Sequence, residues 1–243
     1  MSAAVAVIPA RFASTRLPGK ALADIAGLPM IVRVWQQARK AALLHRVLIA
    51  TDDQRIANAV RDAGGEVEMT ASSHASGTDR IAEVARRIPA DIYINVQGDQ
   101  PFISPQDIDA VVREMSNDPA LSMATLGTPV ADPDEWRNPN KVKIVCDNQG
   151  YALYFSRCPI PFFRDSNEVP RGALRHVAVY GYRRDFLLYF GALAPGDLEQ
   201  TEKLEQLRAM EHGYRIKIIR TMAPSLEVDT PEDLAAANLH ARG

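Results

Sequence analysis

From Ala3 to the segment opened by Pro105, the sequence repeats one pattern: a short apolar run, a polar loop, then a stretch with helical spacing. Ala3–Ile8 is continuously apolar and ends at Pro9, as expected of a parallel strand buried on both faces. After Pro29, the positions Ile31, Val34, Trp35 and Ala38 recur at helical spacing and predict an amphipathic helix to about Ala41. Arg46–Ala50 is the next apolar run, and Thr51-Asp52-Asp53 supplies capping residues for a helix that Gly64-Gly65 ends after Ala63. Glu66–Met69 reads as a strand, Ser76–Ile88 as a helix and Ile92–Val96 as a strand, while Pro105 suits the first turn of another helix. This alternation predicts an α/β fold, a Rossmann-like, mostly parallel sheet with helices on both faces. Ligands of such sheets sit beyond the carboxyl ends of the strands. The loops Ala10–Lys20, Thr51–Asp53 and Gln97–Ser104 should therefore gather on one edge.

The second half has a different texture. Lys141–Asp147, Tyr151–Ser156 and His176–Tyr182 read as strands, the first two joined by the turn signal Asn148-Gln149-Gly150. Leu198–His212 is predicted as one helix, and Thr230-Pro231-Glu232-Asp233 as a helix start with an N-cap, a Pro and an acidic first turn. This gives a smaller, β-rich lobe in the second half. No repeat, low-complexity tract or linker divides the chain, so residues 1–243 are expected to form a single domain.

At 243 residues and 47% hydrophobic content, the chain can bury a full core without disulfides or a structural metal. A net charge of −2 provides no basic footprint for nucleic acid. Cys146 and Cys158 have no metal-ligand spacing. The apolar stretch Met1–Pro9 lacks a basic region before it and meets Arg11, so it reads as a strand and not a signal peptide. No run approaches the ~20 apolar residues of a membrane span. A cytoplasmic protein with no membrane partner is expected.

Several common site motifs are absent: G-x-G-x-x-G, G-x-x-x-x-G-K-[ST], G-x-S-x-G and H-E-x-x-H. The loop after the first strand instead holds Arg11, Arg16 and Lys20, the hydroxyls Ser14 and Thr15, and Pro18-Gly19. Fixed cations and backbone donors behind a buried strand suit a triphosphate. Asp99, at the end of the Ile92–Val96 run and beside Gly98, is a candidate Mg²⁺ ligand, with Asp229 as the second carboxylate. Each has a local alternative, Asp99 as a turn residue and Asp229 as an acid before the Thr230 cap. Asp107-Ile108-Asp109 matches D-x-D formally, but it follows Pro105 in a helical first turn, where acids complement the helix dipole.

These residues, taken together, resemble the CMP-Kdo synthetases (3-deoxy-manno-octulosonate cytidylyltransferases). The likeness is carried by Ile8-Pro9-Ala10-Arg11, Ser14–Lys20, His74–Arg80, Val96–Asp99, Asn138-Pro139-Asn140 and Tyr151–Arg157. It continues through Arg175-His176, Tyr180–Arg183, Lys203–Arg208 and Val228–Leu234, in order along nearly the whole chain. The resemblance implies the nucleotidyltransferase (GT-A-like) variety of the fold, and activation of Kdo with CTP to give CMP-Kdo and pyrophosphate, for lipopolysaccharide biosynthesis.

It also implies roles. Pro9, Ala10, Arg11, Arg16, Lys20, Ser76, Gly77, Arg80 and Gln97 would bind the nucleotide. Gln97, Arg157, His176, Tyr180, Glu205 and Gln206 would line the sugar site. Asp99 and Asp229 would hold Mg²⁺, and Lys20, Arg16 and Asp99 would act in catalysis. Residues of about 1–130 and 215–243 would form the nucleotide part, about 131–214 the sugar-binding and dimerisation lobe, and the protein would be a homodimer. By themselves His176 reads as a core histidine, Tyr180 as packing and Glu205 as a solvated helix face. Two positions depart from the family pattern: Gln100 stands where Glu is expected, and Glu227 near an expected Gly. A cytidylyltransferase for another acidic sugar (8-amino-Kdo or a sialic acid) and a nucleotide-sugar-dependent glycosyltransferase are the rival readings.

Overall fold

The computed structural model describes residues 3–14, 16–223 and 226–242. Met1, Ser2, Thr15, Pro224, Ser225 and Gly243, including the Thr15 hydroxyl of the basic loop, lie outside them. In chain order the first half contains β1 (Ala4–Ala10), β2 (Asp24–Ile25), β3 (Leu28–Pro29), α1 (Met30–Ala38), β4 (Arg46–Thr51), α2 (Gln54–Asp62) and β5 (Glu66–Met69). It continues with α3 (Gly77–Arg87), β6 (Ile92–Val96), α4 (Pro105–Asn117) and β7 (Met123–Pro129). The second half holds α5 (Pro133–Arg137), β8 (Lys143–Cys146), β9 (Ala152–Ser156), β10 (Leu174–Arg183) and α6 (Arg184–Phe190). α7 (Asp197–Glu202), α8 (Gln206–Glu211), β11 (Ile216–Arg220) and α9 (Pro231–His240) complete it.

Strand β1 divides its side chains between two apolar layers. Ala4, Ala6, Ile8 and Ala10 enter one, Val5 and Val7 the other, as the two-residue pleat requires. Ile31, Val34 and Trp35 of α1, Ile56 and Val60 of α2, and Val111 and Met115 of α4 close the first layer. Ile81 and Val84 of α3, Phe186 and Phe190 of α6, and Leu207 of α8 close the second. The sheet is thus covered on both faces.

The main sheet order is β11-β7-β10-β6-β1-β4-β5, and β8 attaches to β10 and carries β9. Strand β1 is parallel to β4 and β6, β4 to β5, and β11 to β7. Strand β10 runs antiparallel to both of its neighbours β6 and β7. Two reversals cancel, so β7 and β11 point the same way as β1, β4, β5 and β6. The segment after β11 therefore leaves the same edge as the loops after β1, β4 and β6, and β10 enters from it. This topology brings Asp229 and His176 to the edge that carries Asp99.

The predicted helix Leu198–His212 is corrected to two short helices, α7 and α8, broken at Lys203 with a φ of 54°. Tertiary contacts override local propensity at the break. The Arg157 guanidinium donates from Nε to the Glu202 carbonyl (2.7 Å) and from Nη2 to the Lys203 carbonyl (3.4 Å). The Glu202 carboxylate accepts from the Ser156 hydroxyl (2.6 Å) and the Arg157 amide (2.9 Å). Strands β7 and β11 and helices α5 and α6 were not legible in the sequence. Among the described residues, no helix is long and apolar enough to cross a membrane.

Candidate active site

Loop 11–19 leaves β1 and ends at Gly19, whose φ of 68° lies in the left-handed region that glycine adopts without strain. The single 3₁₀ turn Lys20–Leu22 follows and turns Lys20 inward. Lys20 Nζ lies 2.8 Å from Asp99 Oδ2 and 2.9 Å from Asp229 Oδ1. Arg16 Nη2 also reaches Asp229 Oδ1, at 2.9 Å. Burial pulls the Lys20 pKa down, but Asp99 and Asp229 outweigh it and leave the ammonium's pKa above its ordinary value. It is a permanent cation at neutral pH.

The two carboxylates are held from behind. The Val228 amide donates to the Asp99 carbonyl at 2.9 Å. Asp233 closes a capping box with Thr230 and accepts from the Asp229 amide at 3.0 Å. The acid before the cap is therefore also an acid of the site. Gly98 packs so tightly that an added Cβ would lie 3.1 Å from the Pro9 carbonyl, which keeps the β6 loop against the end of β1. Asp107 and Asp109 serve the fold instead: Asp107 accepts from the Thr221 hydroxyl (2.6 Å), and Asp109 from the amides of Ala42 and Leu43.

Two clefts open on this edge. The first, of about 650 Å³, is lined by Pro9, Ala10, Arg11, Arg16, Lys20, Ser76, Gly77, Arg80, Gln97, Asp99 and Asp229, with His74 and Ala75 beside them. Ser76 caps α3 by accepting from the Asp79 amide at 3.1 Å. Arg80 is buried; its guanidinium binds the Thr70 hydroxyl and lies 3.1 Å from Asp52 Oδ1. Arg80 thus ties α3 to the ends of β4 and β5 while forming part of the wall.

The second cleft, of about 720 Å³, adjoins the first through Arg16, Gln97, Asp99 and Asp229, which line both. Its remaining wall includes Arg157, His176, Tyr180, Glu205 and Gln206. Lys141, Arg175, Gln100 and Glu227 also line it, and the sequence reading gave them no role. Their signal was position: Lys141 follows the Asn138-Pro139-Asn140 motif, Arg175 precedes His176, and Gln100 and Glu227 flank the two carboxylates. Glu227 lies 3.8 Å from Lys141 Nζ. Burial raises its carboxyl pKa, with Lys141 opposing and Asp99 adding.

This cleft contains unmet polar capacity. Glu205 Oε1, Gln206 Nε2 and both amide atoms of Gln100 are buried without a hydrogen-bond partner. Burial raises the pKa of Glu205, with the hydroxyls of Thr78 and Ser76 opposing. The Tyr180 hydroxyl donates to Gln206 Oε1 at 3.3 Å, and burial pushes its pKa well above the usual phenol value. His176 pairs with the Thr125 hydroxyl (3.0 Å) and packs against Tyr180 and Phe155; burial depresses its pKa to about 3, so it is neutral. Arg157 is in the wall, but its guanidinium is engaged by the carbonyls of Glu202, Lys203 and Pro139.

The pair Asp99 and Asp229 fits a divalent cation. Their oxygens already converge on one cation, the Lys20 ammonium. Among the described residues no group of three or more His, Cys, Asp or Glu could hold a metal. Two carboxylates alone would need further ligands from substrate phosphates and water to complete a divalent cation's shell.

The cytidylyltransferase family matches residues 5–218. The chain is 53% identical to a 3-deoxy-manno-octulosonate cytidylyltransferase of Syntrophotalea carbinolica, covering 98% of each. It is 52% identical to the protein of that name from Geobacter sulfurreducens, covering 94% of this chain and 95% of that one. The fold superposes with a TM-score of 0.93, at 45% identity and 99% coverage of both chains, on a CMP:2-keto-3-deoxy-manno-octonic acid synthetase complexed with CTP. A 4-diphosphocytidyl-2C-methyl-D-erythritol synthase from Anaerococcus prevotii shares the fold at 11% identity and a TM-score of 0.67. The chain belongs to the 3-deoxy-manno-octulosonate cytidylyltransferase family.

Proposed function

We infer that the protein is a nucleotidyltransferase that activates 3-deoxy-D-manno-octulosonate with CTP, giving CMP-Kdo and pyrophosphate for lipopolysaccharide biosynthesis. The observation that carries this reading is the junction of two unlike clefts at Lys20, Asp99 and Asp229. One cleft offers cations and a helix N-terminus, suited to a triphosphate. The other offers cations and unpartnered polar atoms, suited to a hydroxylated acid. The reacting atoms of two such substrates meet where the clefts do.

We assign the nucleotide to Pro9, Ala10, Arg11, Arg16, Lys20, Ser76, Gly77, Arg80 and Gln97. The sugar acid falls to Gln97, Arg157, His176, Tyr180, Glu205 and Gln206. The division of labour follows: about 1–130 and 215–243 for the nucleotide, about 131–214 for the sugar and for a homodimer contact. Every residue lining the first cleft lies in the former segments, which supports that division. Leu153 and Phe162 in the latter segment expose apolar surface that a homodimer contact would cover.

The sugar's anomeric hydroxyl attacks the α-phosphorus of CTP and gives up its proton to water, the bond to the β-phosphate oxygen breaks, and pyrophosphate leaves. Transfer of this kind depends mostly on positioning and neutralisation of charge. Lys20 and Arg16 supply fixed positive charge at the junction, and Gln97 spans both clefts. Asp99 and Asp229 are the residues that would hold Mg²⁺, which when bound neutralises phosphate charge. Neutral His176 and Tyr180 give the sugar wall polar contacts without adding charge. We place the enzyme in the cytoplasm, a reading supported by its nucleotide substrate.

The test is pyrophosphate release from CTP and Mg²⁺ with Kdo, 8-amino-Kdo or sialic acid supplied in turn. Release is expected with Kdo. Release with sialic acid but not Kdo would overturn the assignment.

A further inference from the structure

Lys143, the first residue of β8, is completely buried, at 0% exposure. Its Nζ donates to two backbone carbonyls, Asn138 at 2.8 Å and Arg157 at 2.7 Å. It takes part in no ion pair among the described residues. In the sheet register it lies opposite Ser156 on β9 and Arg175 on β10, so two cations share one face. Glu135 relieves Arg175 at 2.8 Å; Lys143 has no carboxylate within ion-pair distance among the described residues, and Glu202 acts on it only through space.

For the fold alone this is a poor choice. A buried charge with no salt-bridge partner is costly, and like charges opposite each other on neighbouring strands destabilise a sheet. What the ammonium accomplishes is mechanical. It joins the Asn138–Asn140 loop to the Arg157 backbone, and Arg157 Nη1 returns a hydrogen bond to the Pro139 carbonyl at 3.1 Å. Pro139, Asn140 and Arg157 are all wall residues of the second cleft.

We propose that Lys143 is a positioning residue for the sugar-acid half of the site. From behind the wall it fixes Arg157 and the Asn138–Asn140 loop and adds positive charge beneath a carboxylate-bearing substrate. The proposal rests on the assignment of the second cleft to the sugar acid. Burial lowers the pKa of Lys143, with Cys158 and Glu202 opposing, so its charge is lost earlier in alkali than that of an ordinary lysine.

The experiment compares wild type with Lys143→Met and Lys143→Gln. KM is measured for Kdo and CTP separately from pH 7 to 10, together with thermal unfolding. Lys143→Met is expected to raise the KM for Kdo by about tenfold to a hundredfold, the scale of a misplaced binding group. Its KM for CTP stays within about twofold and the variant remains folded, since removing a buried charge offsets part of the cost of leaving the Asn138 and Arg157 carbonyls without their donor. Lys143→Gln, which keeps donors but not charge, lies between. In wild type the KM for Kdo rises in alkali, and in Lys143→Met that rise is absent. Equal changes in both KM values, an unchanged KM for Kdo, or the same alkaline rise in the variant would overturn the proposal. Unfolding of both variants would also overturn it, since Lys143 would then be a structural residue. Wild type that releases no pyrophosphate from CTP and Kdo would refute the functional assignment itself, whereas active wild type beside an unaffected variant refutes only the role of Lys143.

Discussion

The hydroxyl of Thr78, near the start of α3, donates to Glu205 Oε2 at 2.5 Å across 127 positions of sequence. Ser76 and Gly77 beside it line the first cleft, while Glu205 lines the second. One hydrogen bond therefore couples the walls of the two clefts. It also helps keep a buried carboxylate ionised, since burial raises the Glu205 pKa and Thr78 opposes that rise.

Thr78→Val removes this donor while keeping the shape. It is expected to destabilise the fold by roughly 1.5–3 kcal/mol, the worth of a hydrogen bond to a charged group. The KM for Kdo should rise together with that for CTP, because both walls move. Denaturant unfolding and separate substrate titrations check this; an unchanged KM for Kdo would detach Glu205 from the sugar wall.

Lys20→Ala leaves Asp99 and Asp229 facing each other without their shared cation. Turnover is expected to fall by about 10²–10³, the scale for one positioned donor at developing charge. The variant should also gain a larger thermal stabilisation from Mg²⁺ than wild type does, because the cation fills the place of the ammonium. Thermal shift against Mg²⁺ concentration reads this directly, and an equal shift in both proteins would contradict it.

His176 gives a pH signature. Below its ordinary pKa of 6.5 the unfolded chain protonates this residue, while the folded chain holds it neutral down to about 3. The unfolded state then binds more protons, so the contribution is intact above pH 6.5 and stability is lost as the pH falls toward 3. The loss is about 1.4 kcal/mol per pH unit within that window. His176→Gln should flatten this part of the profile, whatever it does to the absolute stability. Chemical unfolding at pH 6.5, 5 and 4 compares the slopes; identical slopes would mean that His176 titrates normally.

Arg157→Lys loses the fork that holds Glu202, Lys203 and Pro139. The break between α7 and α8 should loosen, and sugar use should suffer far more than CTP binding, by roughly 1.5–3 kcal/mol in kcat/KM for Kdo. Proteolysis near Lys203 and Kdo kinetics test the two halves of that statement. Resistance to cleavage with unchanged kinetics would remove Arg157 from both roles.

Strands β1, β4 and β6 were legible because each is a short apolar run bounded by turn chemistry, β5 because it follows Gly64-Gly65, and Ser76–Ile88 because its cap and period agree. Leu198–His212 was misread as one helix because its local propensity is helical and the opposing force, Arg157 and Ser156 gripping Glu202, comes from a distant strand. Strand β10, antiparallel inside a parallel sheet, reverses direction through pairings that no local pattern reveals. At the site, the cationic loop and Asp99 followed from their places after strands. The sequence pointed to Asp229 only as a possible second carboxylate, because its reach to Lys20 depends on the direction of β11. Lys143 read as an ordinary strand residue, since burial of an unpaired ammonium is a property of the assembled sheet.

Asp99 and Asp229 are assigned as one functional unit at the junction of the two clefts. A double-mutant cycle tests this assignment most directly: Asp99→Asn, Asp229→Asn and the combined variant, with pyrophosphate release from CTP and Kdo measured across Mg²⁺ concentrations. If the two act as a unit, either single change is expected to remove most of the activity that the double change removes, and each should shift the Mg²⁺ dependence. Additive losses with an unaltered Mg²⁺ dependence would contradict the account.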